Sequence, residues 1–461
     1  MEILFNQDSE QLAVVEGDRS FSYKQLARLI DKKKNWLSSH CHGKERVLIL
    51  KRNSVELIAN YFACAESSIV VILADYQIKE EIIHIIKECS PKLISIDAED
   101  LRDRTEILEK YGIKYCIQKE DEDIWIKIST EFVSNDVLDK ACLVQYTSGS
   151  TGLSRGAVHS LETFEYMKHE FAQRVGVKPG EKFIATVSLC HGYGFTCILI
   201  TCLSNGGTLH LVDGKNIPGI LKCIEEQKIN YLFSVPPIFK GLIRYLGIRQ
   251  YNLSSLKFCC SSAMKLEQSV AEEFKERSGK YLNQEYGSAE TSVISVTSYT
   301  DDNYKTSNQG RCVDSVKVSI APDGEILVDS KSMAIGYADG INLIGTFHMG
   351  DIGWVNSDGT ISISGRKKRL VDVGGKKFFL DELEYSLCGC NEVEQSYFDL
   401  ENGIIVAYIK LRADADMLTV EEYCKQTLAP YKCPKRFVKI DKLTCSSIGK
   451  VKLENLRNES T

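Results

Sequence analysis

The sequence predicts an α/β protein: a large N-terminal domain of layered sheets and helices, followed by a small C-terminal α+β domain. Three observations predict it. Short apolar runs alternate with amphipathic segments through the first part of the chain. After about residue 300 the texture changes to alternating strands around Asp-Gly turns. And 461 residues are too many for one ordinary hydrophobic core.

The elements follow in order. "RVLIL" is an apolar strand, "VELIANYFACAES" (55–67) has helical period, and "IVVIL" (69–73) is a strand again. The alternation continues through "EEIIHIIKECS" and "KLISI", then "KFIATVSL", "FTCILITCL" and "GTLHLV". "IPGILKCIEEQ", "NYLFSV", "PIFKGLIRYL", "LKFCC" and "EQSVAEEFKERSG" extend it. Helices packed on largely parallel sheets produce this pattern, and two layers are possible at this length. "VKVSIAPDGEILVDS" and "WVNSDGTISISG" read as hairpins about Asp323-Gly324 and Asp358-Gly359. In the last hundred or so residues "LDELEYSLCG" is a helix, "SYFDLENGIIVAYIKL" a hairpin and "TVEEYCKQTLAPY" a helix. The basic run Arg366-Lys367-Lys368-Arg369 marks the boundary, giving domains 1–366 and 367–461.

Composition excludes several classes. Net charge is −6, against the basic stripe of a nucleic-acid binder. No apolar run approaches the ~18 residues of a membrane span. The N-terminal "MEILFNQDSE" has no signal-peptide core, so a cytoplasmic protein is expected. The 17 cysteines contain no C-x-x-C, and most lie inside apolar runs as small hydrophobes. "HCHG" (His40, Cys41, His42) lacks a second ligand pair at zinc-site spacing and reads as a surface loop.

The least ordinary stretch is "VQYTSGSTGLSRGAVHS", residues 144–160. It places Thr147, Ser148, Gly149, Ser150, Thr151 and Gly152 behind an apolar strand, then Arg155. Glycines permit close backbone approach, and successive N–H groups and hydroxyls can wrap phosphate oxygens, with Arg155 adding a fork of donors. Composition alone fits a plain loop equally well, and neither the Walker nor the dinucleotide glycine pattern is present.

The residue order is more specific. "YTSGSTGLSRG" resembles the phosphate loop of the adenylate-forming superfamily, [YF]-T-S-G-[ST]-T-G-x-P-K-G, with departures at Ser154 and Arg155 alone. That superfamily holds acyl- and aryl-CoA synthetases, peptide-synthetase adenylation domains and luciferases. Further motifs follow in its order. "SLCHGYG" resembles P-x-x-H-x-x-G through His191 and Gly194. "CSSAMKL" (260–266) occupies the place of the adenine-binding turn without its glycines. "NQEYGSAET" resembles Y-G-x-T-E through Tyr286, Gly287 and Glu290, with Ala289 for threonine. "MGDIG" supplies Asp351, with Met349 for threonine. "GRKKRLVDVGGKKFFLDELE" supplies Gly365, Arg366, Gly375, Glu382 and Glu384, and the terminal "SSIGKV" supplies Lys450. The chain looks most like the short bacterial acyl- and aryl-acid ligases. "SAMK" and "SIGK" also fit S-x-x-K, but no S-D-N or K-T-G accompanies them.

The resemblance implies a role for each residue. The loop Thr147, Ser148, Gly149, Ser150, Thr151 and Gly152, with Arg155, would hold the ATP β- and γ-phosphates. Thr151 and Glu290 would position Mg2+, a hard cation suited to oxygen donors. Ser262, Ala263, Tyr286, Gly287, Ser288 and Ala289 would surround the AMP moiety, with Tyr286 against the adenine. Asp351 and Arg366 would meet the ribose. His191, Tyr193 and Gly194 would line the substrate pocket, His191 having a structural role as its alternative. Lys450 would bridge the substrate carboxylate and the α-phosphate. Lys368 would be the hinge on which the mobile small domain swings, bringing Gly374 and Gly375 to the approaching thiol.

The implied activity is ATP-dependent, AMP-forming activation of a carboxylic acid to an acyl adenylate, followed by transfer to a thiol. The acceptor would be CoA or the phosphopantetheine of an acyl or peptidyl carrier protein. The segment after His191 carries no acid to hold an α-amine, and leaving a cation unpaired in a pocket is costly, so an aromatic or fatty acid is expected. The alternatives are a stand-alone amino-acid adenylation enzyme and a non-catalytic relative that binds nucleotide or carrier protein. The length resembles o-succinylbenzoate-CoA ligases and carrier-loading enzymes of bacterial secondary metabolism, and does not choose between them.

Overall fold

The computed structural model describes residues 4–147, 154–299, 305–373, 375–387, 389–413, 415–441 and 443. The chain divides into two compact units. One comprises Met1–Val318, Val328–Phe347 and Asp358–Ile361; the other comprises Ser319–Leu327, His348–Ser357 and Ser362–Thr461.

The larger unit is built on two sheets. In the first, strands run in the order Gly336–Tyr337, Arg155–Ser160, Ala141–Thr147, Val70–Leu73, Arg46–Leu50, Leu93–Ile96, Asp123–Ile128, Tyr115–Glu120. Its centre is parallel, from Ala141–Thr147 through Val70–Leu73 and Arg46–Leu50 to Leu93–Ile96, and antiparallel hairpins close both sides. In the second, Leu12–Glu16, Thr208–Leu211, Lys182–Ala185, Tyr231–Ser234, Phe258–Ser261 and Leu282–Ser288 are parallel neighbours. Ser292–Val296 and Asn308–Cys312 then continue antiparallel. The apolar runs of the sequence are these parallel strands: Arg46–Leu50, Val70–Leu73 and Leu93–Ile96 are buried at every position, as strands covered on both faces must be.

Several of the helices begin at polar caps. Ser22 and Gln25 form a reciprocal capping box for Tyr23–Ser38. The hydroxyl of Ser54 accepts from Leu57 N at 3.1 Å, and Asn216 accepts from Gly219 N at 3.0 Å. One core packs Ile82, Ile85 and Ile86 against Leu48, Ile72 and Ile94; another packs Ile220, Phe239 and Phe274 against Ile184, Leu232 and Cys259. "FTCILITCL" falls in a helix that opens with a π-helical segment, Tyr193–Ile200, and continues as Thr201–Ser204. Such segments are rare and mark functional positions.

The smaller unit is α+β. Val393–Glu401 and Ile404–Leu411 form an antiparallel hairpin that turns at Asn402-Gly403, both with positive φ. Arg436–Lys439 runs parallel to Ile404–Leu411. Helices Leu380–Leu387 and Met417–Thr427 close a core of Leu383, Leu387, Phe398, Ile405, Ala407 and Val420.

Among the described residues no helix is long and apolar enough to cross a membrane. In "HCHG", His40 stacks on Trp36 at 4.0 Å and Cys41 is buried, so two of the three side chains belong to packing.

The π-helical segment depends on one glycine. A Cβ at Gly194 would lie 2.1 Å from the Ser188 carbonyl oxygen, so backbone must shift to admit it. Gly194→Ala is expected to cost about 1–3 kcal/mol, in the range of overpacking substitutions, read as a lowered thermal unfolding midpoint.

Candidate active site

The strand Ala141–Thr147 pairs antiparallel with Arg155–Ser160, and Thr147 stands opposite Arg155. The predicted phosphate loop therefore joins two adjacent strands at the carboxyl end of the parallel centre, where open α/β sheets bind ligands. Ser148, Gly149, Ser150, Thr151 and Gly152 themselves lie outside the described residues. A Cβ at Gly156 would lie 2.8 Å from both the Tyr146 ring and Val144 Cγ1, so a glycine is required where the second strand leaves the loop. Arg155 pairs with Asp339 at 2.9 Å, and its guanidinium carbon lies 3.5 Å from the centroid of the Tyr337 ring. The Tyr337 hydroxyl donates to Glu290 Oε1 at 3.2 Å. Arg155 and Glu290, matched in the sequence to phosphate and metal roles, thus share one tyrosine.

Glu290 lies in the turn between Leu282–Ser288 and Ser292–Val296. Gly287 allows that turn, since a Cβ there would lie 2.2 Å from the Ser292 carbonyl oxygen. Ser288 N donates to Thr291 Oγ1 and Thr291 N to Ser288 Oγ, both at 3.2 Å. Ala334 N donates to the Glu290 carbonyl at 2.7 Å. From the other sheet, His159 Nε2 bonds the Ala289 carbonyl at 2.8 Å. His159 is fully buried, and burial pushes its pKa down to about 4. The ring is therefore neutral, with its proton on Nε2 to make this bond.

The histidine segment meets the same place. A Cβ at Gly192 would be 3.7 Å from Gln145 Oε1 and 4.0 Å from Ala289 Cα. His191 Nε2 lies 3.2 Å from Asp75 Oδ2, so the imidazole is held by a carboxylate. The Tyr193 hydroxyl donates to the Cys260 carbonyl at 2.8 Å, tying the segment to the turn that holds Ser262 and Ala263. Ala263 has φ +66, the left-handed conformation that glycine adopts most readily. Ser262 Oγ donates to Glu285, the residue before the buried Tyr286.

In the smaller unit Asp351, buried, pairs with Arg366 Nε at 3.1 Å, and Arg366 Nη1 donates to the Met349 carbonyl at 3.2 Å. Glu325 supports this strand by accepting from Gly350 N at 3.0 Å and pairing with Lys367 at 2.8 Å. Lys368 is exposed in the short turn Lys367–Arg369. Gly375 N donates to Asp372 Oδ1 at 2.8 Å, while Gly374 and Lys450 lie outside the described residues.

Sequence reading missed Asp75, Gln145, Asp339, Tyr337 and Glu285. Asp75 had a signal: it closes the run "IVVILAD" at a parallel strand's carboxyl end. Tyr337 and Asp339 had none, because they reach Arg155 through the pairing of Gly336–Tyr337 with Arg155–Ser160.

Comparison with known proteins shows the family. Residues 4–338 match the family described as AMP-binding enzyme. The chain belongs to that family, and so to the adenylate-forming superfamily that its motifs resemble. One relative is a CoA ligase of Rhodococcus jostii (strain RHA1), named 3-[(3aS,4S,7aS)-7a-methyl-1,5-dioxo-octahydro-1H-inden-4-yl]propanoyl:CoA ligase. It is 26% identical over 332 residues, covering 68% of this chain and 64% of the relative, just under two thirds of its length. The fold is shared with ATP-bound MatB from Rhodopseudomonas palustris, with TM-score 0.82 and 20% identity over 98% of this chain and 96% of that one. It is shared too with o-succinylbenzoate CoA synthetase (MenE) from Bacillus subtilis in complex with the acyl-adenylate intermediate OSB-AMP, with TM-score 0.81 and 20% identity over 98% and 95%.

The state of His159 has a consequence for stability. Unfolded, the imidazole takes up a proton near pH 6.5; folded, it resists until about pH 4. Its contribution is complete above pH 6.5 and is lost as pH falls through that window, up to ~3 kcal/mol by pH 4. His159→Gln keeps an N–H donor without the titration. Its denaturant midpoint is expected to fall less than the wild type's between pH 7 and pH 4.5, with His210, also held near 4 by burial, common to both proteins.

Proposed function

We propose that this protein activates a carboxylic acid with ATP, releasing pyrophosphate, and passes the acyl group to a thiol, CoA in the first instance. The observation that carries this reading is the convergence of the loop strands, the Glu290 turn and the histidine segment. Tyr337, His159 and Gly192 link them within one unit.

In the first half-reaction a carboxylate oxygen of the acid attacks the α-phosphorus, and the bond from that phosphorus to the pyrophosphate oxygen breaks. Two anions must meet, so charge neutralisation and alignment are the work of the site. Thr147, Ser148, Gly149, Ser150, Thr151 and Gly152, with Arg155, hold the β- and γ-phosphates. Glu290 and Thr151 offer hard oxygen donors of the kind Mg2+ takes, and Tyr337 fixes one Glu290 oxygen toward that task. When bound, Mg2+ supplies neutralisation of phosphate charge. Tyr286 flanks the adenine beside the Ser262-Ala263 turn and the 287–289 backbone. Asp351 accepts from ribose hydroxyls, with Arg366 holding its carboxylate in place.

Lys450 bridges the substrate carboxylate and the α-phosphate. In the second half-reaction the thiol sulfur attacks the acyl carbon, the acyl–oxygen bond breaks, AMP leaves and the thiol proton passes to solvent. The small domain, 367–461, swings on Lys368 between these steps and brings Gly374 and Gly375 to the thiol. His191, Tyr193 and Gly194 line an acid pocket with apolar neighbours. The phosphopantetheine of a carrier protein is the second acceptor to test, and the cytoplasm, with its ATP and CoA, is the compartment this chemistry suits.

Acid-dependent exchange of pyrophosphate into ATP tests the first step. Lys450→Ala is expected to lower exchange at least ~100-fold, as loss of a transition-state charge contact does. Exchange that survives in Lys450→Ala would overturn the assignment. Mass analysis of wild-type reactions supplied with CoA, and separately with a holo carrier protein, distinguishes the acceptors.

A further inference from the structure

Six carboxylates are buried among the described residues: Glu120, Asp123, Glu181, Glu285, Glu325 and Asp351. Five of them have a cation. Lys33 serves Glu120 and Asp123, Lys51 also serves Asp123, Lys257 serves Glu181, Lys367 serves Glu325 and Arg366 serves Asp351. Glu285 has none among the described residues. The hydroxyl of Ser262, which donates to Oε2, is its one hydrogen-bond partner there. Oε1 turns over the Cα of Gly287, where a Cβ would lie 2.7 Å from it. A buried carboxylate without a counter-charge is costly, and proteins retain such groups where a ligand completes them.

The location says which ligand. Glu285 lies near enough to Tyr193 and Cys197 on the π-helical segment and to Cys260 on the adjoining strand for its charge to act on them. Ser262 belongs to the turn after that strand, and Tyr286 follows Glu285 directly. The carboxyl thus lies between the histidine segment and the nucleotide turn, where the activated acid must sit. The sequence shows no acid after His191, but the fold brings one from the neighbouring strand.

We propose that Glu285 is the specificity-determining residue of the acid pocket, and that the substrate is a carboxylic acid bearing an amino group whose N–H donors Glu285 receives. This rests on the acid-activating reading above and names its substrate class. An ammonium supplies the missing charge, and an acid lacking it leaves Glu285 unpaired beside apolar surface. Burial holds the Glu285 pKa up to about 7, so the carboxylate needed to pair with an ammonium forms as pH rises through neutrality. Tyr193, Cys197 and Cys260, the titratable groups near it, are raised by burial and stay neutral there.

The test is pyrophosphate exchange by the wild-type protein with pairs of acids that differ only in an amino group: aminobenzoate against benzoate, an ω-amino acid against the fatty acid of equal length, an α-amino acid against its desamino form. In at least one pair the amine-bearing acid is expected to have the higher kcat/KM by ~10-fold or more. That kcat/KM should rise through pH 7. Glu285→Gln should reverse the preference, losing on the amine-bearing acid mainly through KM and gaining on its partner, with a flat pH profile. Equal kcat/KM across every pair in the wild type, or a Glu285→Gln that lowers both members alike, would overturn the proposal while leaving acid activation standing. No exchange with any acid would remove acid activation itself. The wild-type comparison needs no variant, so a Glu285→Gln that failed to fold would not shield the proposal.

Discussion

The two sheets of the larger unit are tied beside the phosphate-loop strands by a hydrogen bond from His159 Nε2 to the Ala289 carbonyl. His159 belongs to the strand that leaves the phosphate loop; Ala289 belongs to the turn that carries Glu290. His159 is fully buried and Ala289 half-buried, so loss of the bond would leave the imidazole N–H without its partner away from water. The segment 334–338 repeats the link in backbone form. Ala334 N donates to the Glu290 carbonyl, Ile335 N to the Val158 carbonyl and Ala338 N to the Gly156 carbonyl. Tyr337 and Asp339 gain their positions from this stitching, so the charges around the loop are set by pairing of backbones, with side chains added to it.

Several charged groups of the first sheet sit where parallel strands end. Lys51 follows Arg46–Leu50 and pairs with Asp97, which follows Leu93–Ile96, and with Asp123. Asp75 follows Val70–Leu73 and holds His191. The strands themselves are buried on both faces, so charge has no other place near the sheet centre. Lys33, Lys51, Glu120 and Asp123 form a buried network at a side edge of this sheet. Its ions are paired, as buried charges must be, and it fixes the long helix Tyr23–Ser38 to the outer hairpin.

The fold was legible because double-sided burial writes itself as apolar runs, and the crossover helices write themselves as period plus cap. Glu290, Asp351 and Arg366 were singled out by motif order, and the structure gives each a defined partner. What stayed hidden was set by contact between distant segments. Glu285 reads as an ordinary polar residue in a strand; that no cation among the described residues pairs with it appears only in the fold. The π-helical segment was hidden because Gly192 and Gly194 look like flexible spacing. The Ser188 carbonyl against Gly194 shows a close approach there instead.

The two departures in the loop motif have physical counterparts around it. Proline at position 154 would stiffen the turn. With Ser154, the carbonyl oxygen lies 3.0 Å from His84 Nε2 on the helix Glu81–Cys89, which anchors the backbone from outside. Lysine at position 155 would offer a point charge. The guanidinium of Arg155 lies flat enough to approach the Tyr337 ring centroid to 3.5 Å while its Nη2 pairs with Asp339, a geometry a lysine ammonium cannot reproduce. The same ring carries the hydroxyl that holds Glu290. Arginine therefore connects the cation at position 155 and its counter-ion, through one ring, to Glu290. On the proposed role of Arg155, a polyphosphate would compete with Asp339 for its guanidinium, next to the ring whose hydroxyl holds Glu290.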